Sequence, residues 1–200
     1  MTYKTHLSFG ILFSAIYFLD IQRLELSAGL AAILVFSTLL GASAPDLDTP
    51  TGELWDKIPA GSILSRIINP VFIGGHRHLS HSLIGMGIFV WLFWLLLKFV
   101  TPLNSVFLIL YSAKAVSAFA LGFASHLFAD SLTEDGVPLL FPLDYHFGIP
   151  PNPFAKMRIK TGQWFENLVV YPVVNLAIIA IIYQQYIRTI NKSLQNLIIF

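Results

Sequence analysis

The sequence predicts an all-α fold: a polytopic transmembrane helical bundle of about five spans, one transmembrane domain over residues 1–200. Three observations predict it. The chain is 56% hydrophobic and only 12% charged, with a mean hydropathy of +0.71; a soluble domain averages about 45–50% apolar and about 25% charged. Five segments approach the roughly 20 apolar residues needed to cross a hydrocarbon core of about 30 Å. Their apolarity is continuous rather than alternating. Backbone groups in lipid must be satisfied within the segment, which selects helices over strands.

The first segment, residues 5–19, follows Lys4 and resembles the charged and apolar parts of a signal peptide. The next residues, Asp20 to Glu25, offer no small-residue cleavage site, so a retained first span is expected. The second, 26–44, holds only apolar and small side chains with Ser and Thr, and Pro45 disfavours helix at Ala44. The third, 79–100, carries "LIGMGIFVWLFWLLLKFV". The fourth lies within 105–129 and contains Lys114, which is expected to snorkel outward. The fifth is 168–187, with Trp164 and Phe165 just before it at the depth of an aromatic belt.

Five spans divide the loops between two faces. Loops 45–78 and 130–167 join the N-terminus on one face, with Lys4, Lys57, Arg66, Arg77, Lys156, Arg158 and Lys160. The other face has Arg23, Lys98, Arg188 and Lys192. The positive-inside bias places the first face in the cytoplasm of a multi-pass membrane protein. Loop 130–167 is too proline-rich for continuous helix, and "VPLLFPL" and segment 63–73 are apolar enough to enter the membrane interface. Lys156, Arg158 and Lys160 serve as topogenic charge or attract anionic headgroups. A net charge of +1 gives no reason to expect a nucleic-acid partner. Membrane lipid is the expected partner; the sequence does not specify an oligomeric state.

Every histidine falls on the first face. His6 starts span one; His76, His78 and His81 in "GGHRHLSHS" precede or begin span three; His126 ends span four; His146 lies in the last loop. Asp46 and Asp48 in "SAPDLDTP" end span two on the same side, and Asp130 follows His126 by four residues. Histidines used as general polar caps would occur at both faces. The i,i+4 pair His126 and Asp130 shares a helical face, as does the i,i+3 pair His78 and His81. An extended Asp-x-Asp would point both carboxylates one way. The chain has no cysteine, so any metal must be held by His, Asp or Glu. The candidate ligands are His6, Asp46, Asp48, His76, His81, His126 and Asp130. Imidazole and carboxylate donors suit one or two divalent ions, zinc, manganese or iron. Local alternatives exist for each: a cap for His6, turn chemistry for either aspartate, a hydrogen-bonded pair for His126 and Asp130. His146 reads as a loop residue or substrate contact, and Arg77 as an interfacial anchor or an anion clamp.

"PDLDTP", "HRHLSHS" and "SHLFADSLTEDGVPLLFP", with His6 upstream, resemble the YdjM-type family of inner-membrane metal-dependent hydrolases from His6 through Pro142. The matching positions are Pro45, Asp46 and Asp48; His76, Arg77, His81 and Ser82; Ser125, His126 and Asp130, then Thr133 and Gly136. The chain departs from the pattern at His78 and Ser80, where a small residue and a threonine are expected. The resemblance implies hydrolase activity and marks Arg77 and Thr133 as candidate catalytic residues. The expected function is metal-dependent hydrolysis at the cytoplasmic membrane face, with a lipid phosphoester as substrate class. A metal or proton transporter, and a metal-stapled scaffold without chemistry, stay open as alternatives. Transport sites tend to lie near the bilayer midplane, whereas these groups sit at one face.

Overall fold

The computed structural model describes residues 1–48, 55, 61, 63, 65, 79–100, 106–143 and 145–198, with 106–110 and 196–198 described as backbone. The described residues form five α-helices and no strand: α1 (Tyr3–Ala15), α2 (Ala28–Ser43), α3 (Leu83–Val100), α4 (Val106–Ser131) and α5 (Tyr171–Ile198). They coincide with the five apolar segments. Among the described residues, two stretches are long and apolar enough by themselves to cross a membrane, Leu83–Val100 and Glu166–Gln195. Helix α2, with 16 residues, rises only about 24 Å. Helix α1 has 13 residues and gains length from a π-helical continuation, Ile16–Ile21.

Local chemistry sets the ends. Ser27 caps α2 by accepting from Leu30 N–H at 3.2 Å. Ser82 does the same for α3, accepting from Gly85 N–H at 3.0 Å. Helix α2 stops where Pro45 was expected to stop it, and the chain then turns through a 3₁₀ segment, Pro45–Asp48. Helix α3 begins at Leu83, so His81 lies in the turn before it rather than on the helix.

Helices α1, α2 and α4 form the packed centre, with α3 against α4 and α5 against α1. Buried aromatics fill one core, where Phe93 of α3 stacks on Phe119 of α4 at 4.4 Å. Small residues bring α2 and α4 into backbone contact at Gly41 and Gly122, as in membrane bundles, where close approach replaces a hydrophobic driving force. The outer surface is apolar: Trp91, Leu96 and Phe99 on α3, and Leu176, Ile179 and Ile182 on α5, are exposed. That distribution suits lipid as the surrounding solvent.

The segment between α4 and α5 is irregular, as its prolines require. It contains a 3₁₀ turn, Phe154–Met157, and two isolated bridges, Thr133 with Ile159 and Val137 with Phe147. Arg158 departs from the expectation of a surface charge. It is buried, donates from Nε to Pro150 O at 2.8 Å, and covers Gly148, where a Cβ would lie 2.2 Å from its Cζ. Lys160 remains exposed and faces Glu134 at 3.7 Å.

Glu166, at the start of the π-helical turn Glu166–Val170 before α5, is fully buried. It accepts from Thr2 N–H and Thr2 Oγ1 at 2.7 Å each, and from Gly162 N–H at 2.7 Å. One carboxylate thus caps the start of α1 from outside and fixes α5 beside it. Glu166→Ala would leave those donors without their acceptor. The expected cost is about 2–4 kcal/mol, read as a lower unfolding midpoint in detergent, with Glu166→Gln recovering part of it.

A buried histidine and aspartate centre

Four helix ends deliver the candidate ligands. His6 lies in the first turns of α1, Asp46 in the 3₁₀ turn after α2, His81 before α3, and His126 and Asp130 in the last turns of α4. His6, His81, His126 and Asp130 are buried to 2% exposure or less. Asp46 is 26% exposed and marks the open side of the cluster.

Among the described residues, two groups of donors form within 4.8 Å: His6, Asp46 and His126, and His81, His126 and Asp130. The distances trace a ring. His81 Nε2 lies 3.7 Å from Asp46 Oδ1 and 3.5 Å from Asp130 Oδ2, and His126 Nε2 lies 3.6 and 3.4 Å from the same two oxygens. The far nitrogens are held from behind. His126 Nδ1 donates to Ala42 O at 2.7 Å, and His81 Nδ1 lies 3.0 Å from Ser80 Oγ. A carbonyl oxygen can only accept, so His126 carries hydrogen on Nδ1, and neutral imidazole then presents a lone pair at Nε2. That lone pair faces two carboxylates, an arrangement that requires a cation or a proton between them. Charge-assisted N–H···O bonds are about 2.7–2.9 Å, shorter than the observed 3.4–3.6 Å. Ligands of one tetrahedral ion with bonds of about 2.0–2.2 Å have donor atoms about 3.3–3.6 Å apart. The described residues thus offer two three-residue groups that could hold a metal ion. His126 Nε2 is buried without a hydrogen-bond partner among the described residues, as is His6 Nδ1.

His6 stacks on His126 with ring centroids 3.7 Å apart, and its Nε2 lies 3.3 Å from Asp130 Oδ1. The Met1 amino group donates to the same oxygen at 2.8 Å. Asp130 therefore turns one oxygen to the ring and the other to α1.

The two aspartates after α2 do not act alike. An extended Asp-x-Asp was expected, but Leu47 N–H bonds to Ala44 O at 3.3 Å and closes a 3₁₀ turn. With three residues per turn, positions two apart point in different directions. Asp46 faces the ring, whereas Asp48 accepts the Ser80 hydroxyl and lies 3.6 Å from His81 Nδ1. Ser80 thus links Asp48 to the back of a ring imidazole, the arrangement that orients metal-binding histidines. Ser80→Ala is expected to weaken divalent-metal affinity by about 10–100-fold, while Ser80→Thr retains it; metal titration of the purified protein checks both.

Other candidates are placed differently. Thr133 is fully buried, and its hydroxyl donates to Asp130 O at 2.8 Å, closing the end of α4 rather than facing the ring. His146 is exposed. His76, Arg77 and His78 lie outside the described residues. Sequence reasoning missed Ser80, the Ala42 carbonyl and Glu166. For Glu166 a signal was present: it is the lone acidic residue between Asp144 and the C-terminus.

Helices with apolar outer faces around a buried histidine–aspartate centre define a helical membrane protein with a candidate metal site at its helix ends. The chain belongs to the YdjM inner membrane protein family, whose model matches residues 1–189. It is 33% identical over 172 residues to the uncharacterized protein YvsG of Bacillus subtilis (strain 168), covering 84% of this chain and 87% of that protein. It is 34% identical over 117 residues to the inner membrane protein YdjM of Escherichia coli (strain K12), covering 58% of this chain and 53% of that protein. The Shigella flexneri protein of the same name matches equally. No solved structure matches.

Proposed function

We propose that the chain is a multi-pass, metal-dependent hydrolase of the inner membrane, with its centre at the cytoplasmic face and a lipid phosphoester as substrate. The observation that carries this reading is the four-donor ring, His81 Nε2, Asp46 Oδ1, His126 Nε2 and Asp130 Oδ2, with both imidazoles held at Nδ1. His81, His126 and Asp130 would hold one divalent ion, with Asp46 beside them. Because His126 uses Nδ1 on Ala42, it has a single nitrogen for a metal. His6 supplies a nearby imidazole. A bound divalent ion supplies an activated water and polarises the bond to be cleaved.

The chain's own contributions follow from burial. Asp46, the least buried of the ring, leaves the side on which water and substrate enter. Leu140, Leu143 and Tyr145, in the loop that reaches α3 through Leu83 N–H to Leu139 O at 3.0 Å, expose apolar surface on the same end of the bundle. Such surface suits a membrane-interface substrate. Arg77, four residues before His81, is proposed as the anion clamp. Topogenic charge favours the cytoplasmic orientation.

The test is metal content and turnover of phosphoester lipids by reconstituted protein, with His81→Ala alongside. The expected result is stoichiometric metal, and turnover reduced at least 100-fold in the variant. Unchanged turnover, or protein that takes up no metal, overturns the reading. The natural absence of cysteine makes the orientation equally testable: Tyr145→Cys is expected to react from the cytoplasm and Arg23→Cys from the other side.

A further inference from the structure

A cavity of about 820 Å³ opens at the other end of the bundle, walled by α1, α2 and α5. It does not reach the histidine–aspartate centre. Its innermost polar residues, Ser14 and Thr38, bond to each other at 2.6 Å, and Ser14 is eight residues beyond His6, about 12 Å along the helix. Between them the helices nearly touch. A Cβ on Gly10 would meet Ala42 Cβ at 3.1 Å, and one on Gly122 would meet Thr38 O at 2.1 Å.

The cavity is polar at its two ends and apolar along its shaft. Ile11, Phe18, Leu34 and Ile182 line the shaft, and at the mouth Lys192 donates to Glu25. Arg188 pairs with Asp20 beside it at 2.8 Å. These pairs are largely exposed, so little holds them against a competing ligand. The mouth offers one charge of each sign. Its shaft runs along the helix axes, the direction of acyl chains in a bilayer.

An apolar void in a membrane protein is filled by something apolar, since such cavities stay dry. The gap between α1 and α5 is tied towards its inner end by Asn175 Nδ2 to Ser8 Oγ at 3.2 Å. A helix about 10–12 Å across would have to break that tie to fill the gap, whereas hydrocarbon chains fit beside it. We propose that this cavity binds a zwitterionic phospholipid, its acyl chains along the shaft and its phosphate and ammonium groups at Lys192 and Glu25. The site is separate from the proposed metal centre and does not depend on it.

The experiment delipidates the full chain, re-exposes it to mixed phosphatidylethanolamine and phosphatidylglycerol vesicles, and counts bound lipid by native mass spectrometry. About one phosphatidylethanolamine per chain is expected. Ala31→Trp combined with Val35→Trp fills the cavity and should cut that occupancy at least tenfold, with metal content unchanged. Glu25→Gln with Lys192→Gln should abolish the preference for phosphatidylethanolamine. On the wild-type chain, a phospholipid with a photoreactive acyl chain should crosslink to the cavity walls of α1, α2 and α5; this arm decides should the filled variant fail to fold. No lipid on the wild-type chain, equal retention by the filled variant, an unchanged headgroup preference, or crosslinks spread over all helices overturns the proposal.

Discussion

Asp130→Asn is expected to lose bound divalent metal by about 100-fold or more in affinity. The residue meets four basic groups. Its Oδ2 lies 3.4 Å from His126 Nε2 and 3.5 Å from His81 Nε2, and its Oδ1 receives the Met1 amino group at 2.8 Å and faces His6 at 3.3 Å. Substitution of residues that merely orient metal ligands costs about 10–100-fold in affinity, so a ligand itself falls at or beyond the upper end. Asparagine keeps the shape and removes the charge. Three imidazoles and an ammonium group would then converge on a buried position with Asp46 as the remaining ring carboxylate. Removing one member of a buried charge set costs about 3–5 kcal/mol, so the variant is also expected to unfold at lower temperature. Elemental analysis of the purified protein and its unfolding midpoint with and without chelator measure both. The wild-type midpoint should fall on chelation and the variant's should not, because a ligand stabilises only the state that binds it. Full metal content in Asp130→Asn would remove the ring as a metal centre.

The convergence behind this expectation was legible in the sequence, and the reason is specific. His6, Asp46, His81, His126 and Asp130 each sit where a long apolar run begins or ends, and in a bundle of antiparallel spans such ends meet at one face. Topology did the work that local motifs alone cannot. What stayed hidden was the direction of each side chain. Whether Asp46 or Asp48 faces the ring depends on a 3₁₀ turn closed by Leu47 N–H, and nothing in "PDLD" distinguishes that turn from an extended segment. Ser80 reads as one more polar residue until Asp48 and His81 are placed on either side of it. Arg158 was counted with the topogenic charges because a burial site made of backbone carbonyls, Pro150 O and Glu134 O, leaves no mark in residue type. The two glycines that set the α2–α4 distance were likewise lost in segments where every residue is small or apolar.

Those glycines carry the second large effect: Gly122→Val is expected to disassemble the centre without touching any ligand. A Cβ at 122 would lie 2.1 Å from Thr38 O and 2.8 Å from Ala42 N, and a Cβ at Gly41 would lie 2.0 Å from Phe119 O. The obstacles are backbone atoms of the facing helix, which no rotamer change can move aside. Helices α2 and α4 must separate. Ala42 is the residue whose carbonyl holds His126 Nδ1 at 2.7 Å, and His126 is one turn along α4 from Gly122, so separation at the crossing withdraws the support of the central imidazole. Two effects compete. Replacing a helical glycine by alanine gains about 1 kcal/mol of helix propensity, while overpacking a tight contact costs about 1–3 kcal/mol or more. Gly122→Ala already carries the overlapping Cβ, so the clash outweighs the propensity gain; valine adds two methyl groups and a weaker helix preference, and the loss grows further. Gly87 on α3 supplies the control, since a Cβ there meets nothing within 4 Å. Gly87→Ala should leave metal content unchanged and raise the unfolding midpoint slightly, whereas Gly122→Val should lower the midpoint and empty the ring. Equal behaviour of the two variants would mean that the α2–α4 crossing does not set the position of His126.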